Sequence, residues 1–271
     1  MVKAGIKGIT GITVPTYLIG ALGLVLCGVI AYGIHWYAQR FHPSVTSIHY
    51  INLDKDVDRQ KHMEEHTRRL NMVERWPAVY GKDVDIDDMV KMGIGYAMVY
   101  SGQGSYAEQR KNTRNLGTVG CYLSHRALLE HLASRNVPDY YGHLILEDDV
   151  QVPDDFLAPG DRWHAIHKTV PMDWDMVYFD ISEPKGVYIA PGIMKLQHES
   201  GVTMGNWGTH AYLVRHGAIR SKILPWLKYM NDAVDQQYDR KFNEWNVYAI
   251  VPGIIKLNEA QSADSSIQKK E

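Results

Sequence analysis

Between Gly8 and Gln39 the sequence has no Lys, Arg, Asp or Glu, and Leu18 to Ile34 is almost wholly apolar. A bilayer span needs roughly 20 such residues, whereas the apolar core of a cleaved signal peptide is shorter, about 7–15. Tyr17, Tyr32, Trp36 and Tyr37 sit towards the two ends, where amphipathic rings favour the headgroup layer. A buried core helix is the other reading of such a run. The expectation is a short tail over 1–14, a transmembrane anchor over 15–38 and a short stem over 39–46. Lys3 and Lys7 precede the span, while Arg40 and Lys55 follow it. This places the N-terminus in the cytoplasm, the type II orientation of a single-pass protein.

Cysteine is nearly absent: there are two, Cys27 in the apolar run and Cys121 far beyond it. A disulfide framework is therefore excluded, and the fold must rest on its core. There is no excess of positive charge either. The formal net charge of -2 argues against nucleic acid as a partner. Internal repeats, Gly/Ser-rich linkers and N-x-S/T sequons are missing, and the 13 His are scattered. What remains is an ordinary globular mixture, 45% hydrophobic and 22% charged, enough for one large domain over 47–260 and a polar tail over 261–271.

Within that domain, strand-like and helix-like segments alternate. Ser47–Leu53 reads as a strand and Asp58–Leu70 as a helix, and Trp76–Gly81 reads as a second strand. Ile86–Met92 allows a helical turn or two. Residues from Gly93 to Asn115 lack any sustained period, and a loop that long is often a lid or a binding loop. Gly117–Leu132 has apolar residues at three- and four-residue steps and reads as a helix. His143–Leu146 is a strand, followed by a helix over Phe156–His167, a strand over Asp175–Phe179 and a strand-like Gly208–Val214. A helix over Gly217–Leu227 and a strand over Val247–Val251 complete the pass. This order predicts an α/β fold with a mostly parallel central sheet, and ligands beyond the carboxyl ends of its strands.

One run stands out chemically. Leu144-Ile145-Leu146 leads straight into Glu147-Asp148-Asp149, three mutually repelling acids at a buried strand end. Alternate residues point the same way, so Glu147 and Asp149 are expected to converge on one divalent cation while Asp148 faces elsewhere. Oxygen ligands suit Mn²⁺ or Mg²⁺. A solvated acidic turn capping the next helix is the plainer alternative. Ile51-Asn52-Leu53-Asp54, with Arg59 shortly after, suits a nucleotide-binding edge, or merely a capped helix. Ser124 and His125, in Gly120-Cys121-Tyr122-Leu123-Ser124-His125, fit a ligand site or a satisfied polar core. Gly117 and Gly120 near the start of that helix would let a ligand approach the backbone. His62 and His66 have a zinc-helix spacing but lack the Glu that such a motif places second.

Taken together and in order, these segments resemble glycosyltransferase family 25, which includes bacterial lipooligosaccharide and collagen hydroxylysine galactosyltransferases. The resemblance is carried by Ile51-Asn52-Leu53-Asp54, Trp76-Pro77-Ala78-Val79-Tyr80-Gly81, the Gly120–His125 segment, Leu144–Val150, Trp174–Phe179 and Gly208-Thr209-His210-Ala211-Tyr212. It spans about Ser47 to Gly253. It implies a GT-A-type nucleotide-sugar-binding fold and a UDP-sugar donor, with Glu147 and Asp149 as ligands of Mn²⁺ or Mg²⁺. Asn52, Leu53, Arg59, Ser124, His125, Gly208, Thr209 and Tyr212 become candidates for donor binding, and Asp235 in the late Val234-Asp235 pair for the catalytic base. The family's late Ser-Asp-Ile element is replaced here by Ser265-Ser266-Ile267. The function implied is a membrane-anchored, metal-dependent, inverting transfer of galactose or glucose to a hydroxyl of a glycan, glycolipid or protein acceptor. The alternative is a tethered sugar- or nucleotide-binding protein of the same fold without turnover.

Overall fold

The computed structural model describes residues 6–7, 13–14, 21, 23–30, 33, 41–85, 113–199 and 205–258. It divides into two compact units, Met1–Phe41 and His42–Glu271. In the first, Ile6–Lys7 pairs antiparallel with Thr13–Val14. Residues 23–30 are helical, with Leu24, Val25, Leu26, Val29 and Ile30 exposed. Among the described residues no helix is long and apolar enough to cross a membrane. The rest of the expected anchor, 15–38, lies outside them, as do the turn expected over 86–92, nearly all of the loop expected over 93–115, and the tail 261–271.

The second unit is built on one eight-stranded sheet. Its elements are β1 (Val45–Asn52), α1 (Val57–Thr67), β2 (Val73–Pro77), α2 (Thr113–Ala133), β3 (Gly142–Glu147), β4 (Val150–Gln151), α3 (Arg162–Ile166), β5 (Met176–Tyr178), β6 (Gly186–Ala190), β7 (Ile193–Leu196) and β8 (Ala211–Arg215). There follow a helical run α4 (residues 216–226, with a π turn at Ile219–Ile223), α5 (Val234–Asp239), β9 (Val247–Ile250) and β10 (Lys256–Leu257). The strand order is β2-β1-β3-β8-β5-β9-β7-β6, with β4 and β10 forming a separate antiparallel pair. Six of the eight strands run the same way. Only β8 and β7 oppose them, and the sheet is mixed. The carboxyl ends of β1, β3, β5 and β9 therefore share one edge of the sheet, and β8 begins there.

The period-two alternation of the strands separates two cores. Ile51, Ile145, Tyr178, Tyr212 and Ala249 face α2, α4 and α5, packing on Tyr122, Leu128, Leu132, Ile219 and Tyr238. Ile48, Leu146, Val177, Leu213 and Ile250 face the other way, against Met63, Phe156, Trp163 and Trp174. A side chain of this size stabilises the fold by roughly 1.5–3 kcal/mol when fully buried, so covering both faces makes the sheet the rigid base of its loops.

Helix α2 is set by a close glycine contact. A Cβ on Gly81 would lie 1.8 Å from the Leu116 carbonyl oxygen, and one on Gly120 would lie 2.7 Å from that of Val79. Only glycine at both positions lets helix and segment touch. The open backbone at Gly120 is thus filled by the chain itself rather than by a ligand, which corrects the expectation for that residue. Ser124 completes the joint, its Oγ donating to the Gly120 carbonyl at 2.6 Å and accepting from the Val79 N–H at 2.8 Å.

Several boundaries differ from the sequence reading for local reasons. The second strand lies earlier, at Val73–Pro77, because the parallel register with β1 ends where Asn52 meets Pro77. The helix expected over Phe156–His167 begins only at Arg162. Leu157 and Gly160 take positive φ of 63 and 85, breaking the first half, and Asp161 caps the remainder by accepting from the His164 N–H. The β6–β7 hairpin and α5 were not foreseen. At the amino ends of β1 and β3, Ser47 joins His49 (2.9 Å) to His143 (2.7 Å), and His143 meets His216 at 3.1 Å.

Candidate functional site

Three acids leave the end of β3 and take three different environments. Asp148, in the turn that follows β3, points to β1 and α1. Its carboxylate accepts from Asn52 Nδ2 at 2.7 Å and from Arg59 at 2.7 Å. Asn52 is fully engaged in this task, since its Oδ1 also accepts from Arg75 Nε at 2.9 Å. Arg59 approaches Asp149 at 3.8 Å. Asn52 and Arg59 thus position the acid turn. Leu53 opens the turn that follows β1, its carbonyl accepting from the Asp56 N–H.

Glu147 lies on the α2 face. Its Oε1 accepts from the Thr209 hydroxyl at 2.7 Å and meets His125 Nε2 at 3.3 Å. Burial opposes its charge, but these bonds and the His125 and His210 charges outweigh that, holding the carboxyl well below its usual range. His125 is itself fixed on its other nitrogen by the Tyr212 hydroxyl at 3.0 Å, with the two rings stacked. His125, Thr209 and Tyr212 are therefore gathered around Glu147. Ser124, one residue from His125, points into the α2 joint instead.

Asp149 is buried, and its Oδ1 has no hydrogen-bond partner. Burial and the neighbouring Glu147 charge raise its carboxyl, with Arg59 opposing. A buried, unpaired carboxylate oxygen costs several times what an ordinary hydrogen bond returns. A hard divalent cation is the group that would relieve it, and the oxygen donors present fit Mn²⁺ or Mg²⁺.

The far wall is the segment 205–209. Asn206, buried and at φ 54, bonds Asp239 at 2.8 Å, the Gln197 carbonyl at 3.0 Å and the Lys185 N–H at 2.8 Å. Gly208 follows at φ 98, where a Cβ would strike the His210 ring at 2.7 Å. Its N–H donates to Asp235 Oδ2 at 3.0 Å, and Gln236 N donates to Oδ1 at 2.8 Å. Asp235 opens α5. Burial and the Glu147 and Asp232 charges raise its carboxyl despite those two bonds.

Sequence reasoning missed Asp180, at the end of β5. It holds His210 at 3.2 Å and Lys256 at 2.7 Å. Burial opposes its charge, yet these cations hold its carboxyl low. The available signal was an acid directly after the apolar strand Met176–Phe179, the same cue that singled out Glu147. Cys121 was also passed over. It is half-buried on α2, one turn before His125. His62, set aside from the zinc-helix pattern, bonds the Val150 carbonyl at 2.9 Å and braces β4.

Comparison with known proteins bears on the whole arrangement. The model of the family described as Glycosyltransferase family 25 (LPS biosynthesis protein) matches residues 45–237. A "Glycosyltransferase 25 family member" of Anopheles gambiae is 29% identical over 137 residues, 50% of this chain and 22% of its own. The "Procollagen galactosyltransferase 1-B" of Xenopus laevis is 28% identical over 163 residues, 56% of this chain and 24% of its own. The chain thus spans about a quarter or less of these relatives. Among solved structures, mouse xyloside xylosyltransferase 1 in its apo form aligns with 81% of this chain and 67% of its own. Identity is 11% and the TM-score 0.28, an overlap too loose to bear on the fold. The profile match embraces Glu147, Asp148, Asp149, Asp180 and Asp235, and on that match the chain belongs to glycosyltransferase family 25.

Proposed function

We propose that this protein transfers a hexose, galactose or glucose, from a UDP-sugar to a hydroxyl of a glycan, glycolipid or protein acceptor, with inversion at the sugar carbon. The observation that carries the reading is the unpartnered, buried Asp149 Oδ1 at the carboxyl end of β3. It lies in a turn held from one side by Asn52 and Arg59, and the neighbouring Glu147 is held from the other by His125 and Thr209. In a GT-A-type arrangement Asp149, with Glu147 beside it, would hold Mn²⁺ or Mg²⁺. That cation supplies Lewis-acid stabilisation of charge on the departing diphosphate.

The chain's own residues do the rest. Leu53 and Arg59 border the place for the nucleotide at the end of β1. Gly208 and Thr209 form the opposite wall. Asp235 takes the proton of the acceptor hydroxyl as its oxygen attacks the sugar carbon and UDP leaves. Its raised carboxyl pKa suits a base, since the best proton acceptor titrates closer to working pH. The apolar segment 15–38 anchors the protein as a type II single-pass chain.

The test is a panel of nucleotide sugars offered to the full chain with and without Mn²⁺, with released UDP followed. Metal-dependent release from a UDP-hexose, abolished in Asp149→Asn, is the expected result. A folded protein that binds UDP but releases none from any donor, even with acceptors supplied, would sink the reading in favour of a binder without turnover.

A further inference from the structure

One atom from each of Cys121, His125 and Glu147 comes within 4.8 Å of the other two, in the group Sγ, imidazole nitrogen and carboxylate oxygen. Cys121 and His125 are four residues apart on α2 and so share a face of that helix. Glu147 arrives from the end of β3. Each comes to this point from a rigid element, not from a loop.

Two further features match the needs of a metal. The first is spacing. His125 Nε2 and Glu147 Oε1 are 3.3 Å apart, longer than the roughly 2.7–2.9 Å of a charge-assisted bond. That separation equals the edge, about 3.3 Å, of a tetrahedron whose zinc–nitrogen and zinc–oxygen bonds are roughly 2.0–2.1 Å. The second is outer support. A metal-bound imidazole needs a partner for its other nitrogen, and the Tyr212 hydroxyl lies 3.0 Å from Nδ1. A metal-bound carboxylate is itself hydrogen-bonded, and Thr209 donates to Oε1 at 2.7 Å. Access is available as well, because the Glu147 side chain is 29% exposed.

We propose that Cys121 Sγ, His125 Nε2 and Glu147 form a site for a zinc-class cation, with its fourth position open to water. Thiolate and imidazole make it softer than the all-oxygen site at Asp149, so it selects zinc over magnesium or manganese. Binding releases the Cys121 thiol proton to solvent as the sulfur–metal bond forms. Because Glu147 belongs to both places, zinc here opposes the loading of the transfer site. That consequence rests on the transfer reading, whereas the binding itself does not.

The experiment strips the full chain of metal and titrates it with Co²⁺ while recording the thiolate-to-cobalt charge-transfer absorption in the near ultraviolet. One equivalent should give that band, and Zn²⁺ should displace it. The band should vanish in Cys121→Ser and persist in Cys27→Ser and Asp149→Asn. Tyr212→Phe should weaken binding about tenfold through the lost outer contact. No charge-transfer band in the wild-type chain overturns the proposal whatever the variants do. So does a band that survives Cys121→Ser and disappears in Cys27→Ser. Turnover is not measured, so failure of the transfer reading and failure of the zinc site are read separately.

Discussion

The two ends of strands β1 and β3 bury comparable amounts of polar chemistry and treat it in opposite ways. At the amino ends, His49, Ser47, His143 and His216 form a chain of neutral partners. Burial lowers His49 to about 4, against the pull of Glu74, and His143 to about 3. At the carboxyl ends the acids repel one another, and Asp149 Oδ1 has no partner. Of the four side chains at the amino end only His216 leaves a buried nitrogen, Nε2, without a partner, and burial favours the uncharged form of that imidazole. The carboxyl end stores unfavourable electrostatics where a ligand would relieve them. Burial alone thus does not mark a site; incomplete pairing of buried charge does.

The largest break in that comparison comes from Asp149→Asn. Metal-dependent UDP release should fall on the order of 10³-fold or more, several kcal/mol of lost charge stabilisation. The metal-free protein should meanwhile become more stable. The raised Asp149 carboxyl favours folding below its unfolded value, and that advantage is lost as pH rises through the folded one. Removing the ionisable group therefore gains roughly 1–3 kcal/mol at neutral pH, read as a higher thermal midpoint without metal. An unchanged or lower midpoint would mean that the turn carries no stored repulsion.

Asp235→Asn should lower kcat on the order of 10²–10³-fold with little change in donor KM. Equal losses in both would move Asp235 from proton acceptor to donor binding.

The amino end is sharpened by pH. His49 and His143 titrate lower in the fold than the ordinary 6.5. Their contribution is complete above about pH 6.5 and is lost as pH falls towards 4. Each should remove about 1.4 kcal/mol of unfolding free energy per pH unit across that window. Urea unfolding at stepped pH would show this slope, and His143→Gln should make it shallower by one proton. A slope unaffected by that substitution would place the acid sensitivity elsewhere.

Smallest is Ser124→Ala. It leaves the half-buried Val79 N–H without its acceptor, a loss of roughly 1 kcal/mol in denaturant unfolding, with donor KM unchanged. A raised KM at intact stability would return Ser124 to the donor site.

Much of the scaffold was legible because it is written locally. The Gly142–Glu147 strand, its acids and the long helix α2 follow from runs and periods that a short window contains. The β6–β7 hairpin did not stand out. Val187, Tyr188 and Ile189 are apolar yet exposed on an edge strand, and Pro184 and Pro191 bracket them like a loop. Asp180 with His210, and Asn206 with Asp239, are each brought together by the sheet or the chain's return, which no spacing rule encodes. The roles of Asn52 and Ser124 were illegible for a different reason. Nothing in a polar residue's identity says whether its partner will be a ligand or the chain itself.

The pairing of β4 with β10 ties the acid turn to the order of synthesis. The Asn258 N–H donates to the Asp149 carbonyl at 2.7 Å, and Lys256–Leu257 zips onto Val150–Gln151. These partners follow β9, the last strand of the sheet, by only six residues and are the last of the described elements to leave the ribosome. A chain stalled before Lys256 holds every strand of the sheet while the acid turn still lacks its brace. Pulse proteolysis of chains stalled before and after Lys256 should show the region around Asp149 gaining protection last.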